Sequence, residues 1–142
     1  MINIPDFLPH CFPFLLIDKV IAYQNNKYLY ALTKIANNSF FLNIHYPERP
    51  VFPGSIILEI IAQSSGLLEF ISNGKLKKNE IYYLYKVNTL NFRCPIFANN
   101  ILVIKVFVNE SRNYITRFKG FITVKDKIVC NFYISCIRKC IY

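Results

Sequence analysis

The segment between residues 51 and 71 is the most apolar part of this chain, and it limits what the chain can fold into. We predict one helix over residues 53–72, because a proline followed by Gly54 and Ser55 suits a first helical turn. Asn73-Gly74 suits its end. Apolar residues cover every face of its first half, so the helix should be buried nearly all round rather than on one face. Such a helix needs a sheet or other helices wrapped around it.

A membrane span is the obvious alternative for this segment, and we reject it. Pro53, Glu59, Gln63 and Glu69 interrupt the apolar run, and a spanning helix carries few such residues. The first residues contain neither a basic region nor a small-residue cleavage site, so we expect no secretory signal. The five cysteines are odd in number and form no CxxC pair, which favours a reduced, cytoplasmic protein without a metal site.

Six further segments have the composition of strands. They are bounded by turn signals, among them Asn25-Asn26 and Lys125-Asp126-Lys127. The last two strands should form a hairpin. The predicted strands cover residues 14–23, 27–36, 81–93, 101–110, 114–124 and 128–138.

The simplest packing for these elements is a curved antiparallel sheet of about six strands around the one long helix, an α+β architecture. The chain length and the 54% hydrophobic content fit one domain over residues 1–142 with a substantial core. An open sheet has exposed edges, and pairing of edges between subunits is a common way to cover them.

Glu59 is the most informative polar residue on the helix. It lies one turn before Gln63, so the two share a helix face, and its other neighbours are apolar. One interpretation is a glutamate that reaches solvent or a structural partner. The other is a carboxylic acid in an apolar pocket, which stays protonated near neutral pH and donates a proton.

The chain has two histidines, of which His45 is the better candidate for catalysis. It precedes a proline-rich turn into the helix, whereas we interpret His10, next to Pro9, as a packing or turn residue. Gly54 begins the helix, where backbone amides have no internal acceptor and lie at the positive end of the helix dipole. Its amide can polarise a carbonyl, or the glycine can serve only the bend. Together these groups suit proton abstraction next to a carbonyl.

At this point the sequence resembles a known family. The residues from His45 to Gln63 (HYPERPVFPGSIILEIIAQ) are similar to the signature of FabZ-type 3-hydroxyacyl-(acyl-carrier-protein) dehydratases, roughly HFPGRPIMPGVLILEALAQ, with the same spacing of 14 between His45 and Glu59. Two more blocks, LPHCFPFLLIDKV from Leu8 and NFRCPI from Asn91, resemble LPHRYPFLLVDRV and KFRRPV of that family.

The resemblance implies a hotdog fold and a dimer whose two sheets join, often assembled further into a trimer of dimers. It implies that His45 removes the C2 proton of a 3-hydroxyacyl thioester, and that Glu59 of the other subunit protonates the departing hydroxyl. The Gly54 amide would hold the thioester carbonyl. No metal or redox cofactor is implied, because the substrate is carried on the phosphopantetheine of acyl carrier protein. Glutamate at position 59, rather than the aspartate of the FabA branch, implies dehydration without isomerisation.

The resemblance also implies which residues contact the substrate and its carrier. The acyl chain should lie in an apolar tunnel beside the helix, and the carrier protein, which is acidic, should dock on a basic surface. The net charge of +9 agrees with an acidic partner, although it also fits a simple bias toward lysine. The expected substrate contacts are Phe52, Pro53, Ser55, Gln63 and Phe92, and the expected carrier-protein surface is Lys75, Lys77, Lys78, Lys86 and Arg93.

Several positions depart from the family pattern. Ile44 and Glu48 replace glycines, Phe52 replaces methionine, and Cys11 and Cys94 stand at usual arginine positions. They leave open whether the pathway is general fatty-acid synthesis or a specialised polyene, polyketide or lipid pathway. They also leave open a non-catalytic, acyl-binding subunit of a hetero-oligomer, while a hotdog thioesterase and a nucleic-acid-binding protein have weaker support. No nucleic-acid-binding motif accompanies the charge.

Overall fold

The computed structural model describes residues 1–9, 14–36 and 51–141. Within these ranges the protein has the predicted six-stranded antiparallel sheet and one long helix. The first residues form a single 3-10 turn, Ile4–Asp6. The helix α1 is Gly54–Asn73, and the strands are β1 (Lys19–Gln24), β2 (Tyr28–Lys34), β3 (Glu80–Phe92), β4 (Ile101–Arg112), β5 (Ile115–Val124) and β6 (Lys127–Cys140).

The order of strands in the sheet is β1-β2-β4-β5-β6-β3, and α1 packs on β2, β4 and β3. Alternate residues of β2 and β4, the strands that contact α1 most, are buried, as the two-residue period of a strand predicts. On α1 every residue from Gln63 to Leu68 is buried, so the helix is covered on all sides at its middle. By length and composition alone α1 would pass for a membrane span, but most of its apolar window is buried inside this protein. The buried strand residues include Leu29, Ala31, Leu102, Ile104, Val106, Phe118, Ile122, Phe132 and Ile134.

The start of β1 differs from the prediction over residues 14–23. The strand begins at Lys19, because the backbone of Phe14 and Leu16 bonds to side chains, and the chain joins β2 only from Asp18, whose amide donates to the Leu32 carbonyl at 3.1 Å. Gln63 accepts a hydrogen bond from the Leu16 amide at 3.0 Å and donates one to the Phe14 carbonyl at 2.7 Å. The Thr33 hydroxyl donates to the Leu16 carbonyl at 2.7 Å. This segment is therefore extended chain tied to the core helix.

The turns follow the predicted signals. Lys125 and Asp126 both have positive φ, 50° and 64°, and they form the two-residue loop of the hairpin between β5 and β6. Two successive positive φ values are the mark of a type I′ turn, whose twist matches that of the flanking strands. Asn26, with φ 60°, makes the turn between β1 and β2.

Arg138 on β6 fixes the C-terminal end of α1 to the sheet. Its guanidinium donates to the carbonyls of Gly74 and Lys75 at 2.8 and 2.9 Å, and it pairs with Glu69 and Glu80 at 3.0 Å each. The carbonyls at a helix end lack internal donors and carry partial negative charge, so a cation satisfies both needs. The same guanidinium holds the pKa of Glu80 below its ordinary value.

Gly120 on β5 leaves no room for a side chain between its own backbone, β4 and β6. A Cβ at this position would lie 1.9 Å from the Lys105 carbonyl oxygen and 2.6 Å from the Phe132 ring. We therefore expect Gly120→Ala to lower the free energy of unfolding by about 1–3 kcal/mol, the usual range for overpacking. Urea unfolding would measure the change, with Lys119→Ala, an exposed neighbour on the same strand, as the control. A loss of less than about 0.5 kcal/mol, the size of an ordinary surface effect, would contradict the close approach.

Candidate active site

Glu59 projects from α1 into an apolar groove of about 280 Å³, which we call the Glu59 groove. The side chain is half-buried at the wall of this groove. The helix residues that line the groove recur at the three- and four-residue spacing of one helix face. The groove is lined by Leu8, Pro9, Ser55, Leu58, Glu59, Ala62, Gln63, Gly66, Phe70, Leu76, Tyr82, Tyr83 and Leu84.

Gln63 holds Glu59 in place. Its amide nitrogen donates to Glu59 Oε1 at 3.1 Å and, with its second hydrogen, to the Phe14 carbonyl at 2.7 Å. Because its oxygen accepts from the Leu16 amide, both ends of the amide are engaged and its orientation is fixed. Gln63 is only 3% exposed, so solvent does not compete for these bonds. The sequence predicted Gln63 as a substrate contact, and the structure also makes it a positioning residue for Glu59.

Two aromatic rings line the part of the Glu59 groove farther along α1. Phe70 and Tyr82 meet edge to face with their ring centroids 5.0 Å apart. The Tyr82 hydroxyl is buried and makes no regular hydrogen bond within the described part of the chain. Burial raises its pKa well above the ordinary value, and the nearby thiol of Cys136, a weak hydrogen-bond partner, raises it further.

Gly54 lies in a second groove, on another side of α1, which we call the Gly54 groove. It is the first residue of the helix, and the first amide to donate back to the Pro53 carbonyl is that of Ile56, at 3.1 Å. The ring of Phe92 covers it so closely that a Cβ at position 54 would lie 3.1 Å from the ring. The groove is lined by Val51, Phe52, Gly54, Ile57, Phe92, Arg93, Cys94, Pro95 and Ile96.

The remaining predicted substrate contacts divide between the two grooves. Phe52 is buried in the core, lines the Gly54 groove, and is tied to Ile96 by its amide, which donates to the Ile96 carbonyl at 2.8 Å. Ser55 is exposed and lines the Glu59 groove. Pro53 is buried and caps the helix with extended backbone, without lining either groove.

One protomer therefore does not bring Glu59 and Gly54 to the same cavity. Five residues of helix separate them, which is about 140° around the axis, so they face different directions. His45, the predicted base, lies outside the described residues, as do His10, Cys11, Ile44 and Glu48.

The predicted carrier-protein residues do not form one surface on a single protomer. Lys75, Lys77 and Lys78 are in the exposed loop after α1, whereas Arg93 follows the far end of β3 and lines the Gly54 groove. The strand between them has 13 residues, which is about 40 Å of extended chain. Lys86 lies between them, on the exposed middle of β3.

The buried thiols of Cys130 and Cys136 line neither groove, whereas Cys94 lines the Gly54 groove. All four cysteines in the described ranges are free thiols, and burial raises the pKa of both Cys130 and Cys136 to about 11. A thiol with such a pKa is not a nucleophile at neutral pH. Within residues 1–9, 14–36 and 51–141 no group of three or more His, Cys, Asp or Glu side chains is placed to hold a metal ion.

Sequence reasoning missed the residues that shape the far part of the Glu59 groove. Gly66 and Phe70 continue the helix face of Glu59 at seven and eleven residues' distance, a spacing that was available in the sequence. A glycine inside an otherwise helical pattern was a further signal, since it usually has a packing or functional reason. Tyr82 comes from another element and had no local signal.

Comparison with known proteins shows similarity to one enzyme family over nearly the whole chain. Residues 8–133 match the family model described as FabA-like domain. The 3-hydroxyacyl-(acyl-carrier-protein) dehydratase FabZ of Erwinia tasmaniensis is 40% identical over 136 residues, covering 96% of this chain and 90% of that protein. The FabZ of Escherichia coli strain K12 is 38% identical over the same shares of both chains.

Solved structures confirm the fold independently. The dehydratase heterocomplex ApeI:P from Xenorhabdus doucetiae superimposes with a TM-score of 0.81 at 16% identity, covering 98% of this chain and 92% of that one. The Escherichia coli PaaI protein of the phenylacetic acid degradation operon superimposes with a TM-score of 0.65 at 15% identity, covering 83% and 80%. The predicted hotdog architecture, a sheet packed around a central helix, is thus confirmed.

Proposed function

The chain belongs to the FabZ-type dehydratases of the FabA-like family, and on that premise we propose that it removes water from 3-hydroxyacyl chains carried on acyl carrier protein. The product is a trans-2-enoyl thioester, an intermediate of fatty-acid biosynthesis or of a related specialised pathway. The observation that carries the proposal is the placement of Glu59, held by Gln63 at the wall of an apolar groove.

The proposed reaction needs one base, one acid and one group that stabilises the enolate. His45 takes the C2 proton, and the Gly54 amide donates to the thioester oxygen as negative charge develops there. Glu59 gives its proton to the C3 hydroxyl, which leaves as water. Protons account for all the transfers, so we propose no metal or redox cofactor.

The site would be assembled between two protomers. Gly54 and Glu59 line separate grooves in one chain, so one protomer supplies His45 and Gly54 and the other supplies Glu59. β1 and β3 are the two edge strands of the sheet, and the longer one, β3, displays Tyr83, Tyr85, Val87 and Phe92. Pairing of β3 with its twofold copy would cover this apolar edge and join the two sheets. We propose a homodimer of this kind, alone or within a trimer of dimers.

The same pairing would bring together basic residues that lie far apart on a single protomer. When two copies of β3 run antiparallel about a twofold axis, the end of one strand lies toward the beginning of the other. Arg93 of one protomer and the loop of Lys75, Lys77 and Lys78 of the other would then flank the entrance to one shared active site. Lys86 would lie near the twofold axis. An acidic carrier protein would be steered to such an entrance.

We further propose a cytoplasmic location, where the free thiols of the described part stay reduced.

The first test is turnover of 3-hydroxyacyl carrier proteins of several chain lengths, followed by mass spectrometry of the intact carrier. We expect the acyl-carrier mass to fall by one water in the presence of the protein and to stay constant without it. Release of bare carrier and free acid would instead identify a thioesterase. No reaction with any chain would contradict the dehydratase and favour the acyl-binding subunit of a hetero-oligomer.

A further inference from the structure

Thr33 is a polar residue on the buried face of β2. Its neighbours on that face, Leu29 and Ala31, are apolar and fully buried, and Thr33 itself is 5% exposed. A buried hydroxyl costs free energy unless it finds a hydrogen-bond partner, whereas valine has nearly the same shape and needs none. The Thr33 hydroxyl donates to the Leu16 carbonyl at 2.7 Å. Leu16 belongs to residues 14–16, the extended segment before β1, which we call the strap.

The strap connects the sheet to α1. Where the strap meets β1, the Asp18 carboxylate accepts a hydrogen bond from the Lys34 amide of β2 at 2.8 Å. Two residues earlier, Thr33 holds the Leu16 carbonyl from the sheet, while the Gln63 side chain accepts from the Leu16 amide on the helix side. Leu16 is therefore held from both sides, and these two side chains determine where the strap lies.

The strap in turn orients the Gln63 amide. Gln63 accepts from the Leu16 amide at 3.0 Å and donates to the Phe14 carbonyl at 2.7 Å, so two of its bonds are to the strap. A further bond runs from the same nitrogen to Glu59 Oε1 at 3.1 Å. Because these bonds share one rigid amide group, a displacement of the strap tilts the amide and changes its bond to Glu59.

We propose that Thr33 is a positioning residue for Glu59, and that it acts through the strap and Gln63. The inference rests on the proposed function, in which Glu59 is the acid of dehydration. Thr33 does not line the Glu59 groove, so its effect on the reaction is indirect. Its hydroxyl holds the strap, and the strap orients the amide that holds the carboxyl group. Small displacements of a reacting group lower the rate even when a distant residue causes them.

The test is Thr33→Val, which removes the hydroxyl and keeps the shape of the side chain. We expect kcat for dehydration to fall by about two- to tenfold, the factor that corresponds to the net free energy of one hydrogen bond, while KM stays within about twofold of wild type. Thr33→Ser keeps the hydroxyl and should restore kcat. The matched control is Thr123→Val, the same change at a buried threonine of β5 that lines neither groove, and it should leave kcat unchanged.

A double variant identifies the route of the effect. Gln63→Leu removes the connection to Glu59 and should lower kcat by itself, so adding Thr33→Val should lower it little further. Independent effects would instead multiply, because the free-energy changes of uncoupled substitutions add. If Gln63→Leu does not fold, hydrogen exchange of the Leu16 amide in Thr33→Val replaces this measurement. Exchange should be faster than in the wild type, with the buried amides of α1 unchanged.

Four outcomes would overturn the proposal while leaving the dehydratase in place. They are a wild-type kcat in folded Thr33→Val, a failure of Thr33→Ser to restore kcat, multiplying losses in the double variant, and unchanged exchange at Leu16 where exchange is measured. Wild-type protein that dehydrates no chain would overturn the proposed function itself, and this inference with it.

Discussion

Glu59→Gln is expected to lower kcat for dehydration by roughly two to four orders of magnitude, the usual contribution of a general acid. Glutamine has nearly the same shape and can still accept the hydrogen bond from Gln63 through its amide oxygen, so the groove and the fold should persist. What it cannot do is give a proton to a departing hydroxyl. The rate of water loss from 3-hydroxyacyl carrier protein, together with the thermal unfolding temperature, would measure both parts of the expectation.

The matched control is Glu69→Gln, the same substitution ten residues along α1. Glu69 is well buried but pairs with Arg138 and lies outside both grooves, so its loss should weaken the end of the helix without changing kcat below the unfolding transition. The two variants thus separate chemistry from stability. If Glu59→Gln turned over substrate at a near-normal rate, Glu59 would not be the acid, and a structural role for it would be the better interpretation.

The elements were predictable from the sequence because their signals are local. The bounds of α1 follow from a proline before Gly54 and a glycine after Asn73, and the hairpin at Lys125-Asp126 follows from its two turn residues. The start of β1 was not predictable in this way. It depends on Gln63, a side chain 47 residues later in the sequence, whose amide takes the hydrogen bonds that a neighbouring strand would have made.

The site was predictable in its parts and not in its layout. The spacing of His45 and Glu59 and the resemblance around them pointed to acid–base chemistry, and Glu59 does line an apolar groove. The division into two grooves has two causes. Gly54 and Glu59 point in different directions from the helix axis, and different ends of β3 line the two grooves: Tyr82 to Leu84 line the Glu59 groove and Phe92 lines the Gly54 groove. Arg93 and Lys78 are both near β3 in sequence, yet they lie at opposite ends of an extended strand. Such distances appear only when the sheet is assembled.

The division into two grooves leads to a second large effect, in heterodimers of two inactive variants. His45→Ala and Glu59→Gln should each be almost inactive as homodimers. Coexpression with different tags and purification through both would give a dimer in which one site combines both lesions and the other combines both intact residues. By twofold symmetry this heterodimer should have about half of the wild-type activity per dimer. If both residues of a site came from one chain, each chain would carry a lesion and the heterodimer would stay inactive.

The matched control carries both substitutions on one chain, paired with a wild-type chain and purified in the same way. This heterodimer has the same two lesions, but in a shared site each of its two sites contains one of them, so it should be almost inactive. A site confined to one chain would instead leave the wild-type protomer working at about half of the dimer's activity. With a shared site, the first heterodimer is active and the control is not; with a site confined to one chain, the control is active and the first heterodimer is not. Differences in expression or folding between the variants would not reverse the two activities in this way. Activity in the control and none in the first heterodimer would contradict the shared site, while leaving the dehydratase reaction itself in place.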